Sequence, residues 1–108
     1  MWLITKEGFF SINQTDQNEL DDVQVRARRQ EHLIAMCECI GIHPAIERTE
    51  HADYLWRMNI SKFVLADYLF KVVFDLDYDN VKNKIAKHRP ELCGAMGSLW
   101  HDLYQLQC

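Results

Sequence analysis

The residues able to do chemistry are scattered along this chain. Five histidines and four cysteines occur in 108 residues, and Cys37, Cys39 and His43 offer three soft metal ligands in one short stretch. Structural zinc sites usually draw their thiolates from C-x₂-C knuckles. Cys37 and Cys39 instead lie two apart in a stretch of helical period and point nearly opposite ways. His32 or Cys93 would have to arrive from elsewhere. Reduced, mostly buried packing thiols are expected at Cys37, Cys39, Cys93 and Cys108, with no metal.

Asp75, Asp77 and Asp79 begin like a calcium loop. Such a loop needs glycine at its sixth position and a bidentate glutamate at its twelfth. Asn80 and Ala86 stand there, and Lys82 and Lys84 intrude. Carboxylates capping a helix are the simpler account, with Asp77 or Asp79 at the N-cap. Cysteine hydrolase chemistry needs a thiolate, a histidine and an orienting group together in space, and no spacing marks such a set. G-x-S-x-G elbows, phosphate loops and dinucleotide fingerprints are missing from the sequence. No cofactor is expected, and a small enzyme without a recognisable motif ranks last of three readings.

The arginines have a stronger pattern. Val23, Val25 and Ala27 alternate with Gln24, Arg26 and Arg28, while Tyr54, Trp56, Met58 and Ile60 alternate with Leu55, Arg57 and Asn59. If the apolar rows face a core, Arg26, Arg28 and Arg57 share the opposite face of a sheet. Phe9 or Phe10 must point there too, because neighbours in a strand alternate. Such a face suits single-stranded nucleic acid, anions or an acidic protein. Alternatively, the arginines pair with Glu47, Glu50 or Asp53, or lie under a C-terminal helix. Arg26, Arg28, Arg57, Tyr54 and Asp53 are the candidate binding residues. Asp77, Tyr78, Asn80 and Lys82 form a secondary candidate surface. Lys82, Lys84, Lys87, His88 and Arg89 read as a solvated helix face, with anion binding as the minor alternative.

These residues need elements to hold them. A chain of 108 residues, 48% hydrophobic and 26% charged, is expected to be one domain, 1–108, with a single core. Asp67, Lys71 and Asp75 interrupt the longest apolar run, and MWLITKEGFF does not resemble a secretory signal. No membrane association and a cytoplasmic location are expected. The net charge of −4 disfavours non-specific binding to phosphate backbones.

The longest periodic stretch is Ser61–Leu76. Leu65, Leu69, Val72 and Leu76 mark a core-facing stripe, with Phe63, Ala66, Phe70, Val73 and Phe74 beside it. An arc that wide implies burial on two sides, by a sheet and by another helix. Ser61 is placed to cap this helix. Residues 2–13 read as one irregular strand region with a bulge at Gly8, a hairpin being the alternative. Strands follow near 23–28, 45–49 and 54–60. A helix from Arg29 ends at Gly41. Beyond the acidic run, a short helix reaches His88 and Pro90 opens the last one. In that last helix Leu92, Met96, Leu99, Leu103 and Leu106 form a stripe, and Gly94 and Gly97 would admit another backbone. The expected fold is α+β: a two-layer sandwich whose four-stranded antiparallel sheet has a ferredoxin-like β-α-β-β-α core, plus an extra C-terminal helix.

The segments MWLIT and GFFS, VQVRAR, ADYLWRMNIS, LDYDNVKN and LWHDLYQLQ resemble, in this order, a family of small uncharacterised bacterial and phage proteins. The resemblance spans nearly the whole chain and implies a complete small protein. It rests on Trp2, Gly8, Phe9, Phe10, Arg26, Arg28, Asp53, Tyr54, Arg57, Asp77, Tyr78, Asn80, Lys82, Trp100 and Tyr104. No activity is attached to that family, so no functional residue carries over. The leading expectation is a non-enzymatic interaction protein, an adaptor, regulator or inhibitor of a protein partner, of phage or mobile-element type. Its surplus of aromatics supports this, since interfaces favour them. A nucleic-acid or anion binder is the second reading. The oligomeric state stays open, a homodimer included.

Overall fold

The computed structural model describes residues 1–107. It is an α+β protein with one five-stranded antiparallel sheet and four α-helices. The strands are β1 (Trp2–Thr5), β2 (Gly8–Asn13), β3 (Asp22–Ala27), β4 (Glu47–Arg48) and β5 (Trp56–Ser61). Their spatial order is β1-β2-β3-β5-β4. Residues 2–13, expected as one irregular strand, form a hairpin in which Thr5 pairs with Gly8. The turn at Lys6-Glu7 reverses the chain, so the sheet has five strands where four were expected.

Gly8 is fixed by crowding. A β-carbon there, at φ 152°, would lie 2.3 Å from Cγ of His32. Only glycine lets that ring approach the hairpin so closely.

The inner face of the sheet carries Phe10, Ile12, Val23, Val25, Ala27, Met58 and Ile60, all buried. Helix α1 (Gln30–Ile40) covers it with Leu33, Met36 and Cys37, and ends at Gly41 in the left-handed conformation expected for a C-terminal glycine. Helix α2 (Lys62–Phe74) adds Leu65 and Tyr68. Ser61 caps α2 as expected, its Oγ accepting from the Val64 amide at 3.1 Å. A buried polar knot ties α2 to the hairpin. The Tyr68 hydroxyl donates to Glu7 Oε1 and meets Thr5 Oγ1, each at 2.7 Å. Burial, together with the Glu7 carboxylate, pushes the Tyr68 phenol far above its ordinary pKa.

The expected stripe of α2 is shifted. Tyr68 is fully buried, Leu69 and Val72 only partly so, and Leu76 lies exposed beyond the helix end. The second cover for α2 does not materialise either: Phe63, Phe70, Val73 and Phe74 face outward. The following helices, α3 (Val81–His88) and α4 (Cys93–Tyr104), turn away from that face. Asn80, not Asp77 or Asp79, caps α3; its Oδ1 accepts from the Lys82 amide at 2.9 Å. With Asn80 at the helix start, Asp77 pairs instead with Lys84 at 2.7 Å.

A 3₁₀ turn, Pro90–Leu92, leads into α4. Of the expected stripe only Met96 is buried, while Leu103 and Leu106 are exposed. Nothing comes within 4 Å of where a β-carbon would sit on Gly94 or Gly97, so they admit no neighbouring backbone. Cys37 is buried, Cys39 half-buried and Cys93 exposed, so the thiols are less enclosed than expected; Cys108 lies outside the described residues. Among the described residues no helix is long and apolar enough to cross a membrane.

Candidate functional site: the outer face of the sheet

Alternation in β2, β3 and β5 sends every second residue to the face away from α1 and α2. Pairing then aligns these residues into rows. Ser11 stands opposite Arg26, Arg26 opposite Arg57, and Arg57 opposite Glu47. Asn13, Gln24 and Asn59 form the neighbouring row. Two arginines directly opposed in adjacent strands repel each other, which a sheet built for stability alone avoids.

Tyr54 organises the charges. Its ring, expected in the core, is 4% exposed but lies on the outer face, with the guanidinium carbons of Arg26 and Arg28 4.8 Å and 4.6 Å from its centroid. The alternation of β5 does not reach it, because the strand starts only at Trp56. Asp53 Oδ1 accepts from the Tyr54 amide at 3.0 Å and bends the chain just before the strand. The backbone of this turn binds two of the arginines. Arg28 Nε donates to the Asp53 carbonyl at 3.2 Å, and Arg57 Nη2 to the Tyr54 carbonyl at 3.0 Å. Arg26 Nη2 donates to Ser11 Oγ at 2.7 Å.

None of these contacts neutralises charge. The ion pairs among the described residues are Arg48–Glu50, Lys71–Asp75 and Lys84–Asp77, and Glu91 faces His32. Arg26, Arg28 and Arg57 enter none of them, so the alternative of pairing with Glu47, Glu50 or Asp53 does not hold. Glu50 is taken by Arg48, and the Asp53 carboxylate by a backbone amide. Arg26 Nε and Arg57 Nε are moreover buried without a hydrogen-bond partner. A buried unsatisfied donor costs about 1–3 kcal/mol, and more when charged.

The C-terminal helix covers part of this face. A cleft of about 340 Å³ separates α4 from the sheet, with Trp2, Ile4, Phe9 and Tyr54 on one side and Leu92, Met96 and Leu99 on the other. Arg28 lines it, whereas Arg26 and Arg57 do not. A clasp missed by sequence reasoning anchors this arrangement. His32 Nδ1 accepts from the Phe9 amide at 3.4 Å, and its Nε2 faces Glu91 at 3.2 Å. Burial acts to raise the Glu91 carboxyl, but its own backbone amide, His32 and Arg89 outweigh that and hold it below its ordinary value. Arg89 Nε adds a bond to the Glu7 carbonyl at 3.0 Å. A histidine three residues after an arginine run was visible in the sequence, but its partner 59 positions on was not.

The secondary surface does not converge. Asp77 is paired with Lys84, Asn80 caps α3, and the Lys82 ammonium lies 4.3 Å from the Trp100 centroid. Tyr78 borders a small cavity of about 60 Å³ between the hairpin turn and the end of α2. These residues build the connection between helices. The candidate site is the outer sheet face: Arg26 and Arg57 lie on the face their alternation implied, and Tyr54 and Asp53 join them and Arg28 from the turn before β5. No family model, curated protein or solved structure matches this chain, so the functional reading rests on this geometry.

Proposed function

We propose that this chain is a non-enzymatic interaction module that docks an acidic segment of a protein partner on the outer face of its sheet. One observation carries the reading: Arg26 and Arg57 stand opposed, each with a buried and unsatisfied Nε, and among the described residues no carboxylate pairs with either. Carboxylates reaching this row would relieve the repulsion, and the planar guanidinium fork fits them. A guanidinium offers donors only, in a fixed planar fork, and that suits recognition of an acceptor.

The nucleic-acid alternative is weaker on this geometry. Base stacking needs an open aromatic face, and the Tyr54 ring is already occupied by two guanidiniums. Phe9 is half-buried against Trp2 and Tyr54. The net charge of −4 also works against a polyanion. We further propose that β3-α1-β4-β5-α2 is a ferredoxin-like unit, with β2 standing where the closing strand would be; the neighbour order β2-β3-β5-β4 supports it.

Fluorescence anisotropy with a panel of labelled Asp/Glu-rich peptides and a labelled single-stranded oligonucleotide tests the function. Some acidic peptides should bind, more weakly as salt rises. Arg57→Glu and Arg28→Glu should each lower that affinity by about tenfold or more while the fold persists. Preferential binding of the oligonucleotide, or peptide binding indifferent to both substitutions, would overturn the assignment.

A further inference from the structure

The outer face of α2 is the largest feature that the arginine site does not use. Phe63, Phe70, Val73 and Phe74 are 72%, 64%, 68% and 73% exposed, and the Phe70 and Phe74 rings stack with centroids 4.4 Å apart. At 3.6 residues per turn, 63, 66, 70, 73 and 74 fall on one stripe, opposite the buried Leu65 and Tyr68. A contiguous apolar stripe edged by charges marks an interaction surface.

The sequence of this face identifies the occupant. We propose that it pairs with the same face of a second copy of this chain, the two α2 helices running antiparallel about a twofold axis near residue 69. In such an isologous contact, residue i meets j and j meets i. Phe63 then lies against Phe74 of the second copy, Ala66 against Val73 and Asp67 against Lys71, with the two Phe70 rings flanking the axis. The charges are self-complementary in this direction alone. Asp67 and Lys71 lie on the same edge of the stripe, so a reversed helix sets each against the opposite charge of its neighbour. A parallel pairing in register would set like against like. Both charges near the axis are free to exchange partners. Asp67 joins none of the ion pairs among the described residues, and Lys71 has only an exposed 3.5 Å contact with Asp75. An exposed pair of this kind contributes little.

The arginine row lies on the outer sheet face, while α2 packs on the inner one. Dimerisation through α2 therefore leaves the proposed docking face open and would present two of them per assembly.

Sedimentation equilibrium of the full chain across a concentration series tests the pairing, with circular dichroism melts reporting the fold of each variant. Wild type should sediment as a dimer, and high salt should leave the dimer largely intact. Phe70→Asp should raise the dimer dissociation constant by about tenfold or more while the chain still melts cooperatively, losing only the stability that association adds, because the side chain is outside the core. Asp67→Lys should weaken the dimer, and Asp67→Lys combined with Lys71→Asp should restore it. Phe63→Ser serves as a second probe should Phe70→Asp melt early. A monomer at every concentration, or a dimer untouched by both phenylalanine variants, would overturn the proposal. Failure of the charge exchange to restore association would overturn the antiparallel register.

Discussion

The inner and outer faces of the sheet are drawn from alternate residues of the same strands, yet they treat polar atoms in opposite ways. On the inner side, buried Thr5 and Glu7 both meet Tyr68, and the surroundings are apolar. On the outer side lie Asn13 Oδ1, Arg26 Nε and Arg57 Nε, the buried side-chain atoms left without partners among the described residues. The first arrangement satisfies stability. The second leaves interactions unmade, and proteins concentrate such local conflict where they function.

That contrast yields substitutions of graded effect. Leu33 of α1 is fully buried in the core cluster, so Leu33→Ala should cost about 2–5 kcal/mol in chemical denaturation. A cost near zero would remove the inner face from the centre of the core. Gly8→Ala places a methyl group against the His32 ring and should cost about 1–3 kcal/mol, read as a lowered melting temperature. Arg57→Met ought to behave differently: stability within about 1 kcal/mol of wild type, in either direction, because a repelled and unsatisfied cation leaves with its charge. A destabilisation as large as that of Leu33→Ala would make the arginine row structural.

The smallest effect concerns pH. Glu91 is held below its ordinary pKa, so its contribution is complete above the unfolded-state value and is lost as pH falls through the lower, folded-state value. Glu91→Gln should therefore flatten the acid limb of a stability–pH profile, by no more than about 1 kcal/mol because the carboxylate keeps contact with solvent. An acid limb identical to wild type would show that the clasp to His32 contributes nothing.

Much of this was legible in the sequence because it depends on local period. Two-residue alternation placed Arg26 and Arg57 on one face, and Ser61 and Gly41 marked helix ends by chemistry that acts within a turn. The errors came where distant partners decide. Periodicity gave the width of the apolar arc on α2 but could not say that no helix would cover Phe63, Phe70 and Phe74. It centred the stripe on Leu69, whereas Tyr68, three residues from Leu65, wins the buried place because Thr5 and Glu7 satisfy its hydroxyl. Tyr54 was assigned to the core by extending the alternation of β5 past its first residue. The Asp53 side chain ends that alternation with one hydrogen bond, and the ring falls among the arginines. The His32–Glu91 clasp spans too much sequence for any local signal.

The most direct measurement is a titration of ¹⁵N-labelled protein with an acidic peptide, following the guanidinium Nε–H resonances. The resonances of Arg26 and Arg57 should shift together as their guanidiniums take up the peptide carboxylates, while amides along the outer face of α2 stay in place. Shifts confined to α2 or α4, with both Nε–H signals unmoved, would contradict the proposed docking.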